Sequence, residues 1–354
     1  MAALLKIYLL YYIEVLLHIR RKPRVLQMPI TSKCNSRCLT CNIWKYGEKK
    51  DIDEVELRHV LNNSFFSKVE SVGINGGEPT LHSNFVEVIK AVLTLSSLKS
   101  IFVISNCINS DKLLEYLQEI YPLCKEKQVR LKLQVSIDGV DDIHNMVRGI
   151  KVSFERSLLV LHELYKNKGR YLDDFNIGCT ISKHNVDYLA QIEDYFSEYD
   201  IPIYYHLAVP NKRIHNFDNA PFSVLTDKHA TQMAKEFFHM KSGTATTHLE
   251  KIRCYLIYLY LSGATHKRMF LCDYLYRDIT IDENLDTFLC ATASYKVGNL
   301  IEEIPSFQQY NINVKETKAH CNTCIHYANI PNLRGLYTYL VYKLKTYKWI
   351  SIYK

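Results

Sequence analysis

Cys34, Cys38 and Cys41 occur at the spacing C-x3-C-x2-C in the stretch TSKCNSRCLTCNIW, close behind the apolar run RVLQMPI. Three thiols packed into eight residues can bind metal, react or crosslink. As thiolates in one tight loop they can hold three irons of a [4Fe-4S] cube and leave the fourth without a protein ligand, open to a substrate or cofactor. A structural zinc site would use four protein ligands, and no fourth partner follows at finger-like spacing. A second constellation is NGGEP, Asn75 to Pro79. Adjacent glycines let the backbone approach a ligand closely, and the carbonyls and carboxylate of such a turn can accept hydrogen bonds from an ammonium group. Gly-Gly before Pro is also ordinary loop punctuation, so the turn gains meaning only beside the thiols.

Both constellations fall where predicted strands end. Runs rich in β-branched and aromatic residues predict strands at 24–30, 69–75, 100–105, 130–137, 175–181 and 201–207. Amphipathic stretches at 53–62, 83–96, 111–119, 152–168 and 186–198 predict the helices between them. This alternation describes a parallel βα array, because parallel neighbours need crossovers, and ligands collect at the C-terminal ends of such strands. A helical segment follows at about 225–262, after which YRDITI and TFLC flank DENLD as the arms of a hairpin.

At 354 residues, 47% apolar and 12% aromatic, the chain can pack one large domain plus a small one. Eleven cysteines over this length are too sparse for a secreted disulfide scaffold, and no small-x-small cleavage site follows the apolar N-terminus. A reducing cytoplasm is therefore expected, where clustered cysteines serve metal or catalysis. Residues 1–24 carry five Lys or Arg against Glu14, and residues 331–354 carry five against no acid, out of a formal net charge of +7. Basicity confined to the two ends argues against nucleic acid as a partner of the main domain.

The opening LLKIYLLYYIEVLLHIRRKPR predicts an amphipathic helix with Lys6, Glu14, His18 and Lys22 in a narrow polar stripe. It is too short and too charged to span a bilayer, which leaves an interfacial helix or a cover for the core. The C-terminal LRGLYTYLVYKLKTYKWISIYK interleaves Tyr and Trp with Lys and Arg, and suits either a headgroup boundary or a segment packed across the main domain. Peripheral contact with the inner face of the membrane is the localisation to test beyond a cytoplasmic one.

Through residues 25–210 the chain resembles the radical S-adenosylmethionine (radical SAM) enzymes, on C-x3-C-x2-C, GGEP, SNC at the third strand and SIDG at the fourth. The resemblance implies an α/β fold, a partial (β/α)6 TIM-like barrel, and a [4Fe-4S] cluster whose open iron is chelated by S-adenosylmethionine. It implies that Gly76, Gly77, Glu78 and Pro79 hold the methionine ammonium and that Ser136 and Arg148 reach the methionine carboxylate. Asp138 or Ser105 would lie nearer the ribose. Where the family commonly has an aromatic residue before the third cysteine this chain has Thr40, which leaves the adenine contact to Trp44 or another aromatic. A flavodoxin- or ferredoxin-type electron donor is implied as a partner.

Cys272, Cys290, Cys321 and Cys324 resemble the shorter auxiliary-cluster extension, the twitch or SPASM type, appended to many members of that family. Two of them bracket the predicted hairpin and two form a C-x2-C knuckle. Four thiolates would fully ligate a second [4Fe-4S] cluster, and a zinc ribbon is the alternative. His326 is expected at the surface. Of the other thiols, Cys107, Cys124 and Cys254 read as core, whereas Cys179, on a predicted strand, is considered as a hydrogen donor to a substrate radical. The expected organisation is an N-terminal helix (1–24), the radical SAM partial barrel (25–220), a helical linker with an auxiliary-cluster domain (221–330) and a basic aromatic tail (331–354). Peptide-modifying relatives often carry a leader-binding domain ahead of the barrel, and 24 residues cannot hold one. A sugar, aminocyclitol or lipid-linked small molecule is therefore expected as substrate, oxidised or otherwise modified at an unactivated C–H bond. Peptide modification is the alternative reading, and a non-catalytic zinc-binding scaffold the alternative of another class.

Overall fold

The computed structural model describes residues 2–17, 22–45, 48–217, 220–275, 277–290, 292–326 and 328–352. Nine strands form one sheet: β1 (Val25–Pro29), β2 (Ser71–Asn75), β3 (Ser100–Ser105), β4 (Arg130–Ser136), β5 (Asp174–Ile181), β6 (Ile203–Leu207), β7 (Asp278–Ile281), β8 (Asp286–Phe288) and β9 (Lys296–Asn299). Their order is β6-β5-β4-β3-β2-β1-β7-β8-β9. Pairing is parallel from β6 through β1 to β7, and antiparallel across β7, β8 and β9.

Eleven α-helices are described: α1 (Ala2–Leu16), α2 (Glu54–Leu61), α3 (Phe85–Val92), α4 (Ser110–Glu126), α5 (Asp141–Arg148), α6 (Ser153–Tyr171), α7 (Leu189–Phe196), α8 (Lys228–Thr244), α9 (His248–Leu261), α10 (Phe307–Thr323) and α11 (Leu333–Ile352). The six predicted strands and the helices between them are all present, within a few residues except that α4 runs on to Glu126 rather than ending at 119, and they make an open, partial TIM-like barrel. The expected helical segment at 225–262 is two helices, each with its own N-cap: Asp227 accepts from Ala230 N–H and Thr247 from Glu250 N–H. The hairpin is present as β7 and β8, with β9 as an unforeseen third strand. Because β7 hydrogen-bonds to β1, the hairpin extends the barrel's own sheet.

Alternation along the strands separates core from lumen. In β4, Leu131, Leu133 and Val135 are fully buried, whereas Lys132, Gln134 and Ser136 line the central cavity. In β5, Gly178 and Thr180 line it, and Cys179 between them is fully buried. The Cys179 thiol is thus turned away from the lumen, and the hydrogen-donor expectation for it fails on strand parity. Cys107, Cys124 and Cys254 are buried, as read from the sequence.

Candidate active site

The cysteine loop follows β1 and is tied to four separate parts of the barrel rim. Gly77 N–H donates to the Thr31 carbonyl at 2.7 Å, and Glu78 N–H to the Lys33 carbonyl at 2.8 Å, which fastens it to the NGGEP turn after β2. Arg37 N–H donates to Arg148 O at 2.8 Å and Leu39 N–H to Val147 O at 2.9 Å, so the orphan carbonyls at the C-terminus of α5 hold its middle. The Asn106 amide, just past β3, donates to Asn35 Oδ1 at 2.8 Å and Ser36 Oγ at 3.0 Å. From the loop after β6, the Asn216 amide donates to Thr40 O at 2.7 Å.

Two glycines allow this closeness. Gly149 ends α5 at φ 68°, and a Cβ there would lie 2.7 Å from the Arg37 carbonyl oxygen. At Gly77 a Cβ would lie 2.0 Å from the Lys33 carbonyl oxygen and 3.1 Å from Cys34 Cβ.

Asp51 adds a side-chain tether. Its Oδ1 accepts from Thr31 Oγ1 at 2.6 Å, while Oδ2 accepts from Lys33 Nζ at 2.7 Å and from Ser83 N–H at 3.2 Å. Burial alone would raise this carboxyl, but the bonds from Lys33, Thr31 and Ser83 hold it at about 2, below its ordinary 3.8. A depressed carboxyl contributes stability that is complete above its unfolded value and is lost as pH falls through the folded one. With Lys33 partly exposed and solvent-screened, the tether is worth about 1 kcal/mol. Asp51→Asn is expected to lower neutral-pH stability by that amount and to flatten the acid limb of a denaturation series between pH 4 and 2.

Cys34, Cys38 and Cys41 all line one cavity of about 850 Å³ that runs the length of the barrel lumen, and they share its end at the C-termini of the parallel strands with Gly76, Gly77, Glu78, Ser136 and Arg148. Burial pushes the Cys34 thiol up to about 12 and Cys41 up to about 11, and it raises Cys38 as well. The free thiols therefore stay protonated, and loading a metal must release their protons. Arg148 reaches into the same space: its Nη1 lies 3.9 Å from Cys38 Sγ and its Nε 2.8 Å from Asp138 Oδ2.

Several expected roles change. The Asp138 carboxylate is engaged within the chain at each oxygen, by Arg148 and by Thr180 N–H, both at 2.8 Å, so it positions Arg148. Ser105 Oγ donates to Glu78 Oε1 at 2.8 Å and accepts from Cys107 N–H at 3.0 Å, which makes it a brace for the turn. Glu78 is itself buried, accepting from Thr80 N–H and Oγ1, from Ser105 Oγ and, at Oε2, from Asn106 N–H at 2.8 Å. Pro79 opens the short 3-10 turn that Glu78 caps and does not line the cavity. Ser136 keeps its hydroxyl uncommitted among the described residues and faces the cavity. Trp44 lies beneath the cations of Arg37 and Lys45, 5.2 and 4.8 Å from its ring, and does not line the cavity, whereas Ile43 and Thr40 do.

Residues 28–192 match the profile of the Radical SAM superfamily. They form a radical SAM domain. The Fe-coproporphyrin III synthase of Methanosarcina barkeri is 27% identical over 198 residues, 53% of this chain and 44% of that protein. The sporulation killing factor maturation protein SkfB of Bacillus subtilis is 25% identical over 169 residues, 47% of this chain and 37% of that protein. The chain thus spans less than half the length of either curated relative. Among solved structures, native anSMEcpe with bound AdoMet and Cp18Cys peptide superposes with a TM-score of 0.59 at 17% identity, over 87% of this chain and 88% of the other. Streptococcus suis SuiB bound to S-adenosylmethionine superposes with a TM-score of 0.54 at 13% identity, over 83% of this chain and 67% of the other. At such identities the likeness is one of fold.

The radical SAM family uses a [4Fe-4S] cluster and S-adenosylmethionine, and the donor set fits that group: three thiols of one loop at the cavity wall, with a glycine cradle and a cation beside them. Among the described residues no three His, Cys, Asp or Glu side chains converge as they would around a single ion.

Outside the radical SAM domain the second cysteine set comes from three places: Cys272 before a short 3-10 turn, Cys290 after β8, and Cys321 and Cys324 in the last turn of α10 and at its C-cap. Each of the other three thiols is close enough to act electrostatically on Cys272, which burial pushes up to about 12. Arg268 staples the region, its guanidinium donating to the carbonyls of Phe270, Leu271, Cys324 and His326 at 2.7–2.9 Å. A second cavity, of about 450 Å³, adjoins Cys290 and shares Ile43 and Arg213 with the first.

Sequence reasoning missed the far wall of the main cavity. Tyr204 and His206 of β6 and His326, just past the knuckle, all line it. His326 is therefore not a surface residue. Burial lowers His326 to about 3, and burial with the nearby Arg253 charge lowers His206 to about 4, although the cavity leaves its ring open to water. Both imidazoles are neutral at pH 7, each offering one donor and one acceptor. The inward parity of β6 was a signal for His206, but nothing in the sequence pairs it with a residue 120 positions away.

Proposed function

We propose that the chain is a radical SAM enzyme that abstracts hydrogen from an unactivated C–H bond of a hydroxyl- or amino-rich small molecule, with an auxiliary cluster near the substrate. The observation that carries this is the sharing of one cavity by the three-thiol loop, the NGGEP turn, Arg148 and a polar far wall. In this reading Cys34, Cys38 and Cys41 hold the first [4Fe-4S] cluster and Cys272, Cys290, Cys321 and Cys324 a second. When bound, such a cluster would supply the single electron that reductive cleavage of S-adenosylmethionine needs.

The chain's own residues bind, orient and exclude water. Gly76 and Gly77 let the turn approach the methionine ammonium, and the carboxylate of Glu78, braced by Ser105 and Asn106, adds negative charge beneath it. Ser136 and Arg148 are the donors for the methionine carboxylate, with Asp138 fixing the guanidinium. Tyr204, His206 and His326 offer uncharged hydrogen-bonding groups to the substrate, which suits hydroxyls. A lipid-linked sugar or aminocyclitol fits this wall. The electron comes from a flavodoxin- or ferredoxin-type donor.

A second reading, peptide modification, is favoured by the fold shared with SuiB bound to its precursor peptide SuiA, at a TM-score of 0.53. The test is anaerobic turnover with deuterated candidate substrates. Deoxyadenosine carrying deuterium from a sugar or aminocyclitol supports the proposal, and transfer from a peptide alone supports the second reading. Zinc-loaded, colourless protein from an anaerobic preparation contradicts both and favours the scaffold.

A further inference from the structure

The two ends of the chain meet on the outside of the barrel, and both leave their leucines in water. Helix α1 turns Tyr8 and Tyr11 inward against Leu271, while Leu9 and Leu17 are 60 and 61% exposed and Ile13 is also exposed. Helix α11 repeats the pattern. Its Tyr342 stacks on Tyr255 of α9 at 4.1 Å and Tyr339 meets the same ring at 5.6 Å, whereas Leu333, Tyr337, Leu340 and Leu344 are 57–70% exposed. The spacing i, i+4, i+7, i+11 puts these four on one stripe, opposite the docked face. The stripes adjoin, because Leu333 N–H donates to the Tyr12 hydroxyl at 3.1 Å and Tyr8 OH donates to the Pro331 carbonyl.

A water-facing helix would turn the tyrosines' polar tips outward and the leucines inward. Here Tyr8, Tyr11, Tyr339 and Tyr342 pack inward while Leu9, Leu17, Leu333, Leu340 and Leu344, with Tyr337, face out, so the outward face is built for a non-aqueous neighbour. Its charge says which. Arg334 and Lys343 flank the α11 stripe on either side, Lys6 is exposed beside Leu9, and the last 24 residues hold five Lys or Arg and no acid. A second copy docked through a two-fold axis would set this basic rim against itself. Among the described residues no helix is long and apolar enough to cross a membrane.

We infer that α1 and α11 together form a docking face for an anionic bilayer surface, the leucines and Tyr337 entering the headgroup boundary and the cations meeting lipid phosphates. None of these α1 or α11 residues lines the active-site cavity.

The test is flotation of the full chain with vesicles of phosphatidylcholine alone, and of phosphatidylcholine and phosphatidylglycerol in equal parts. Binding is expected to the mixed vesicles only and to weaken at high salt. The double variant Arg334→Gln/Lys343→Gln should lower partitioning about 25-fold, at roughly fivefold per cation. Leu340→Ser/Leu344→Ser should lower it by at least about tenfold per leucine. Arg334, Leu340 and Leu344 are exposed, and Lys343 also lies over the Tyr339 and Tyr342 rings at 5.7 and 6.0 Å, so thermal unfolding and iron content are measured on each variant, and Arg334→Gln alone should keep the parent's values while lowering partitioning about fivefold. Equal binding to neutral vesicles, no binding to either, or binding indifferent to both double variants overturns the inference. A lipid-free dimer that the leucine substitutions convert to monomer overturns it too, in favour of self-association.

Discussion

The Cys38→Ala variant is expected to be folded and brown, to retain about half the parent's iron, and to show no cleavage of S-adenosylmethionine above background. Structural zinc sites are worth roughly 10–16 kcal/mol over four ligands, and a thiolate of comparable worth here, on the order of 3 kcal/mol, amounts to about a hundredfold in cluster retention. Cys38 is also the thiol that Arg148 approaches at 3.9 Å, so its loss removes that side-chain contact while the backbone bonds between the loop and α5 remain. Cys321→Ala should behave oppositely. It removes a thiol of the second set, so iron again falls by about half, but deoxyadenosine still forms when S-adenosylmethionine is given alone. Iron per chain and deoxyadenosine yield, measured on both variants, separate the two sites. Equal loss of cleavage in both would show that the second set is needed to assemble the first.

Gly77→Ala is expected to be nearly as damaging without touching a ligand. The added Cβ would meet the carbonyl oxygen and carbon of Lys33 at 2.0 and 2.6 Å, both backbone atoms, so the cysteine loop and the turn must separate. Overpacking of this kind costs about 3 kcal/mol, or roughly a hundredfold in affinity for S-adenosylmethionine. Calorimetric titration of the reconstituted protein reads this directly. Unchanged affinity with unchanged iron would mean that the turn and the loop do not share a ligand.

Much of this arrangement was legible from local sequence. Strict alternation in RLKLQVS and FNIGCTI marks one face for helices and one for the lumen, and the C-x3-C-x2-C and NGGEP stretches fall where β1 and β2 end. Helix α5 escaped notice for a physical reason: its N-cap is Val140, which has no side-chain oxygen to announce a start, and it is only eight residues long. Helix α10 did carry a signal, since Ser306 and Gln309 form a capping box ahead of the knuckle.

Side-chain commitments were the harder part. Ser105, Asp138 and Ser136 look equally suited to a ligand in sequence, but only the three-dimensional register shows the first two already spent on Glu78, Arg148 and Thr180. Asn216 and His326 reach the site from far along the chain, and contacts at such separation leave no local trace.

The proposal rests on one iron at the cavity wall being left without a protein ligand by Cys34, Cys38 and Cys41. Electron-nuclear double resonance on the reduced protein, with S-adenosylmethionine labelled with nitrogen-15 in its amino group, tests this most directly. Coupling of the label to the cluster, absent in Cys38→Ala and retained in Cys321→Ala, is the predicted result. A paramagnetic cluster whose spectrum ignores S-adenosylmethionine, as one saturated by a fourth side chain would, contradicts it.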